Sequence, residues 1–235
     1  MERHLYKYRT ELHAHTSPAS RCANIPPAEI VQIYAEKGYD GIAVTNHFTH
    51  DMEYVRDKRK CIDSYLNDYY TAVEAGKKFG INVMLGAELR FAENWNDYLV
   101  YGIDTDFFEN AYEYLRGGIC DFSKDFKGEN IVILQAHPFR DGMERADIKY
   151  LDGIEVFNMH PSHNSRIGIA AKYAAENGCI ATAGSDCHDY GWEGLAAALT
   201  KEKLRDSHDI AKILKQRDYL LDIGGFCIEP PAVGK

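Results

Sequence analysis

The sequence predicts a single-domain α/β protein, a β/α barrel or barrel-like sheet, on three observations. Short β-rich runs repeatedly end in a polar cluster and give way to a helical stretch, the alternation expected of parallel strands joined by crossover helices. About seven such units follow one another with no linker, repeat or low-complexity tract, and 235 residues suit one α/β barrel. No GxGxxG turn follows the first strand, which disfavours an open dinucleotide-binding sheet.

The first unit is YKYRTELHAH, leading to the helix PPAEIVQIYAEKG, where Pro26 and Pro27 mark the start and Gly38 the end. GIAVTNH is the second strand, and residues 51–80 read as one long charged, aromatic helix closing at Gly80. INVMLGAELRF and DYLVYGID read as strands, FFENAYEYLRGG as helix, IVILQAHP and GIEVFN as strands, and SRIGIAAKYAAENG as helix. IATAGSDCH is a strand ending in polar residues, followed by helix DIAKILKQR and strand DYLLDIG.

Hydrophobic residues make up 45% of the chain and charged residues 27%, values of an ordinary globular protein. No segment approaches the ~18 apolar residues of a membrane span and the first residues lack a signal-peptide core, so a cytoplasmic location is expected. The six cysteines form no CxxC pair, which argues against a zinc ribbon or disulfide scaffold. A net charge of −9 disfavours nucleic acid as a partner, since polyanion binding draws on clustered Lys and Arg.

Potential metal ligands stand where apolar strands stop: His13, His15, His47, Glu88, Asp97, His137, Asp186 and His188. Strand ends of a barrel open onto one face, so residues far apart in sequence meet there. Two-residue spacing puts His13 and His15 on one side of an extended strand, and Asp186 and His188 repeat that geometry with Cys187 turned away. Mixed imidazole and carboxylate ligands suit zinc, manganese or iron. An isolated HxH or strand-end Glu is ordinarily solvated, and the conjunction decides the reading. His4, His50, His163 and His208 fit no strand-end pattern and read as surface or structural.

The runs TELHAHTS, GYDGIAVTNH, LGAELRF, QAHPFR, GIEVFN and TAGSDCH, in this order, resemble the motifs of the polymerase and histidinol phosphatase (PHP) superfamily and span about three quarters of the chain. The resemblance implies a distorted seven-stranded, TIM-barrel-like (β/α)7 barrel with two or three divalent metals that hydrolyses phosphate esters. It assigns His13, His15 and Asp186 to one metal, Glu88 as a bridge to a second held by His137, and His47 with His188 to a third. Asp97 stands where the family often has a histidine, which gives the second metal a carboxylate. The loop SPASRCAN puts Arg21 and Cys22 where an acidic residue or histidine is common, leaving open whether Cys22 is a ligand or only lines the loop. Asn46 replaces the usual Asp before His47 and retains the capacity to orient that ring.

The expected substrate is a small phosphate monoester attacked by a metal-activated hydroxide. Glu88 and Asp186 carry the catalytic expectation, with His160 contacting the substrate or protonating the leaving group. Arg140, Arg21 and Arg166 are the candidate phosphate-binding cations. The alternatives are a phosphodiesterase or exonuclease acting on nucleic acid ends and a noncatalytic metal-stabilised interaction module. Nothing in the chain selects an oligomeric state.

Overall fold

The computed structural model describes residues 2–52 and 55–231. Its strands form two six-stranded sheets, joined by a parallel bridge between Ala14 and Cys187. The first sheet contains β1 (Tyr8–Ala14), β2 (Gly41–Val44), β4 (Asn82–Leu85), β10 (Ala196–Thr200), β11 (Leu220–Ile223) and β12 (Phe226–Ile228), ordered β12-β11-β10-β1-β2-β4. In the second sheet, β3 (His47–Thr49), β5 (Ala87–Arg90), β6 (Asp97–Tyr101), β7 (Val132–Gln135), β8 (Gly153–Asn158) and β9 (Ile180–Gly184) lie in sequence order.

Two runs read as single strands are each split between the sheets. GIAVTNH breaks after Val44 and resumes as β3, and INVMLGAELRF breaks at Gly86 and resumes as β5. A Cβ on Gly86 would lie 2.7 Å from Thr45 Cγ2, so the two breaks pass each other only because Gly86 has no side chain. Antiparallel pairs also interrupt the βα alternation: β1 with β10, β10 with β11, β5 with β6 and β6 with β7. The strand β10 went unread because its alanines carry little β preference. The sheets nevertheless share an interior, where Leu12, Met84, Leu99, Leu134, Ala183 and Leu221 form one buried cluster.

The helices are α1 (Pro27–Glu36), α2 (Lys58–Phe79), α3 (Phe107–Ala111), α4 (Ile119–Phe126), α5 (Ile167–Asn177) and α6 (Ser207–Gln216). The helix expected from residue 51 begins at 58, where the Asp57 carboxylate accepts from Lys60 N–H and caps the first turn. Glu53 and Tyr54, within that expected helix, lie outside the described residues. The helix ends as expected at Gly80, in the left-handed conformation at φ 75°. The run expected as one helix over 107–118 shortens to α3 and a 3-10 turn. Beyond Gly118 the unpredicted α4 stacks Phe122 on Phe126 with ring centroids 4.5 Å apart.

Bulges shape the end of the molecule that carries the strand-end histidines. Pairing of β1 with β2 slips between Glu11 and Ala14, and pairing of β8 with β9 slips between Glu155 and Phe157. Below them, a Cβ on Gly184 would lie 2.4 Å from His13 Cβ and 2.5 Å from Glu155 Oε1. Gly184→Ala is therefore expected to lose about 1–3 kcal/mol of stability, the usual magnitude of overpacking, read as a lower urea midpoint. An unchanged midpoint would show that the contact is not tight.

Candidate metal centre

Seven expected ligands converge at that end. His13 and His15 leave β1 with their Nε2 atoms 3.1 Å apart. Glu88, on β5, is fully buried between them: His13 Nε2 lies 3.3 Å from Oε1 and His15 Nε2 3.3 Å from Oε2. His47 faces Glu88 in the β3–β5 register, and its Nδ1 lies 2.9 Å from Oε2. His137, two residues beyond β7, places Nε2 3.2 Å from Oε1. Asp186 Oδ1 lies 3.5 Å from His13 Nε2, 3.4 Å from His15 Nε2 and 3.3 Å from His188 Nδ1.

The hydrogen bonds behind these rings assign their tautomers. His13 Nδ1 is 2.9 Å from Glu155 Oε1, so it donates there and turns the Nε2 lone pair inward. Ser20 Oγ donates to Asn46 Oδ1, which leaves it to accept from His15 Nδ1 at 3.0 Å and frees that Nε2 as well. Asn46 thus reaches His15 through Ser20, and its bonds go to Thr16 and Ser20 instead of the His47 ring. His188 Nδ1 donates to the Asp186 carbonyl at 2.9 Å.

Two imidazole lone pairs facing each other and two carboxylates are unfavourable without a cation between them. Glu88 Oε2 and His47 Nδ1 are close but not aligned for a hydrogen bond, and neither they nor His137 Nδ1 have a hydrogen-bond partner among the described residues. His13, His15 and Glu88 present ligand atoms within 4.8 Å of one another, as do His15, His47 and His188, then His160, Asp186 and His188, and also His47, Glu88 and Asp97. The donor set therefore fits divalent cations. In the metal-free protein protons fill this role. Burial opposes charge on His13 and His47, but Glu155, Asp186 and Glu88 around the former and Glu88 beside the latter hold both well above the ordinary imidazole range. Burial likewise disfavours charge on Glu88 and Asp186, yet the surrounding histidines hold both well below the usual carboxylate range.

His137 and Asp186 also adopt positive φ, 30° and 50°, a region that non-glycine residues seldom occupy. Hydrogen bonds hold both: His137 N–H donates to Glu155 Oε2 at 3.1 Å, and Asn158 Nδ2 donates to Asp186 Oδ2 at 3.0 Å.

The remaining candidates divide. Asp97 opens β6 at the same end, but both its oxygens accept from Arg90, at 2.8 Å each, and Oδ2 is 3.8 Å from His137 Nε2. A cavity of about 570 Å³ opens above the centre, lined by Arg21, Arg90, Arg140, His160, His163 and Trp192 among others. Arg166 does not line this cavity: it donates to the Phe139 carbonyl and the Asp141 carboxylate and braces that loop. His163, read as surface or structural, stacks on His160 at 3.6 Å and 8° and lies 3.2 Å from Arg140 Nη1. Cys22 is exposed in its loop; burial of the thiol raises its pKa, but the neighbouring His188 and His47 outweigh this and bring it to about 6.

Sequence reasoning passed over Glu155, Glu11 and Arg90. Glu155 and Glu11 are isolated charges in apolar strands, and full burial of both implies dedicated partners. Arg90 shares the site-facing side of β5 with Glu88 by two-residue alternation.

A mixed α/β scaffold carries a buried histidine–carboxylate centre of the kind that holds divalent cations. The sequence profile of the PHP domain matches residues 11–229, and the chain belongs to that family. It is 27% identical over 134 residues to a PolC-type DNA polymerase III of Latilactobacillus sakei, a match that covers 57% of this chain and 8% of the polymerase. A two-domain Bacteroides vulgatus protein described as containing a PHP-like metal-dependent phosphoesterase superposes with TM-score 0.65 and 18% identity, over 94% of this chain and 66% of that one. A Bifidobacterium adolescentis protein described as a metal-dependent phosphoesterase gives 0.55 and 16%, over 88% and 96% of the respective chains. An amidohydrolase of Chromobacterium violaceum, determined with sulfate and no metal, gives 0.53 and 17%, over 77% and 88%.

Two predictions follow from the site geometry. Glu155→Gln is expected to weaken metal binding about 10- to 100-fold, measured by titration against a chelator, because Glu155 orients His13 and His137; unchanged affinity would refute that role. In metal-free protein, Cys22 is expected to react with iodoacetamide half-maximally near pH 6, since a lowered pKa leaves thiolate present above that value. Burial pushes the thiols of Cys61, Cys179 and Cys187 upward, so they stay unreactive there. Reaction of Cys22 only above about pH 8 would refute its contact with the histidines.

Proposed function

We propose that this protein is a metal-dependent phosphoesterase acting on a small phosphate monoester. The observation that carries the reading is the fully buried Glu88 carboxylate, approached by His13, His15, His47 and His137 beneath an open cavity. His13, His15 and Asp186 would hold one divalent ion, with Glu88 shared toward a second near His137. His47 and His188 would hold a third, with Cys22 near them. Such ions acidify water and neutralise phosphoryl charge when bound.

The chain's own groups supply the rest of the chemistry. Arg140, with His163 at 3.2 Å from its Nη1, presents a guanidinium to a phosphoryl oxygen, and Arg21 stands exposed on the cavity wall. His160 accepts the Ser162 N–H at Nδ1, 3.2 Å away, so its proton sits on Nε2. Burial lowers its pKa to about 4, which favours a neutral hydrogen-bond donor to the substrate over a proton donor to the leaving group. The second reading, a nuclease, draws on the match to the polymerase.

Manganese- or zinc-loaded protein is expected to hydrolyse p-nitrophenyl phosphate or other monoesters, histidinol phosphate and nucleotides among those to be assayed. His13→Ala and Asp186→Ala should lower turnover by more than about 100-fold, above the usual effect of losing an outer partner, together with bound metal. Full activity with undiminished metal in either variant would sink the scheme. Cleavage of a labelled oligonucleotide with no monoester turnover would favour the nuclease, and no turnover of any substrate would favour a noncatalytic module.

A further inference from the structure

Arg90 and Asp97 face each other directly in the antiparallel register of β5 and β6. Asp97 is 1% exposed, and a carboxylate so buried requires a positive partner. Nε and Nη2 of Arg90 supply it as a two-pronged fork, each 2.8 Å from an oxygen. A guanidinium has five N–H donors, so three remain, and no protein acceptor meets them among the described residues. The side chain is 17% exposed, and the cavity is the space it opens on. Trp95 lies 5.6 Å from its Cζ and limits the tilt of the fork. The nearby carboxylate of Asp51 accepts from Thr49 Oγ1 and forms no ion pair with Arg90 among the described residues.

From these observations we propose that Arg90, fixed by Asp97, is a phosphoryl-binding residue of this cavity, and that Asp97 acts as its positioning residue instead of as a full metal ligand. The inference rests on the phosphoesterase reading. Without the guanidinium, Asp97 would present uncompensated negative charge beside an anionic substrate. With it, the pair is neutral and still offers cationic donors toward the cavity. Glu88 and Arg90 then divide one strand face between metal and phosphate.

The test uses inorganic phosphate as the probe and reads binding by calorimetry on metal-loaded protein, with metal content and monoester turnover measured separately. Arg90→Met is expected to weaken phosphate binding about 10- to 100-fold with metal content at the wild-type value. Removing one partner of a buried pair can unfold the protein, so the double variant Arg90→Met/Asp97→Asn, which leaves no buried charge, is measured alongside and should behave the same way. Asp97→Asn alone should keep its metal and weaken phosphate binding by a smaller factor. Undiminished phosphate binding in a folded Arg90→Met or double variant overturns the proposal, as does loss of metal from Asp97→Asn or absence of phosphate binding by the wild type. Phosphate binding that depends on Arg90 in a protein with no turnover would support the proposal while overturning the phosphoesterase reading.

Discussion

The Glu88 carboxylate has no exposed surface and sits among four imidazoles, with His13 and His137 toward Oε1 and His15 and His47 toward Oε2. A buried anion is tolerated only where cations or donors surround it. The strand architecture serves that requirement. His13 and His15 arrive from the first sheet, His47 and Glu88 from strands that have crossed into the second, and His137 from the end of β7. Had β2 and β4 run on unbroken, the His47–Glu88 pairing across β3 and β5 would have belonged to the first sheet. Small residues at the crossing, Gly86 above all, are therefore part of how the centre is built.

A second layer of buried carboxylates supports the first. Glu155 fixes the His13 ring and the His137 backbone, and it shares Asn158 with Asp186. Glu11 accepts at Oε1 from the backbone N–H groups of Leu12, His13 and Ser185, and at Oε2 from the hydroxyls of Tyr34 and Ser185. One glutamate thus ties the HxH end of β1 to the loop carrying Asp186, and the other ties β8 to both. Such outer bonds set tautomer and ring angle, properties on which ligand basicity depends.

The centre was more legible in the sequence than the sheet around it. His13, His15, His47, Glu88, His137, Asp186 and His188 meet because polar residues at the ends of apolar strands share one face, and that logic holds although the strands are divided between two sheets. The sheet order was hidden for local reasons. An Ala-rich strand such as β10 carries little β signal, and a break at one residue, as at Gly86, leaves the hydrophobic pattern continuous. Glu155 and Arg90 were hidden differently. Each looks like a lone charge in a strand, and only a cross-strand partner turns it into part of a site. Arg166, a plausible anion ligand in sequence, is consumed by Asp141 and the Phe139 carbonyl. His163 gains a place only because the loop after β8 folds its ring onto His160.

Metal uptake and stability are coupled through the same charges. His13 and His47 have raised pKa values in the metal-free fold, so the stability they contribute is fully present below the ordinary value near 6.5 and is lost as pH rises through the raised values. Glu88 and Asp186 have lowered values, so their contribution is present above the ordinary carboxylate range and is lost as pH falls through the lowered ones. The metal-free centre is therefore most stable where protonated imidazoles face ionised carboxylates. A cation that takes the place of those protons must displace them, because a ligating imidazole needs its lone pair. The buried carboxylates favour the cation, while the same carboxylates hold the protons it displaces. Net affinity consequently rises with pH, and the geometry set by Glu11 and Glu155 is available to protons and metals alike.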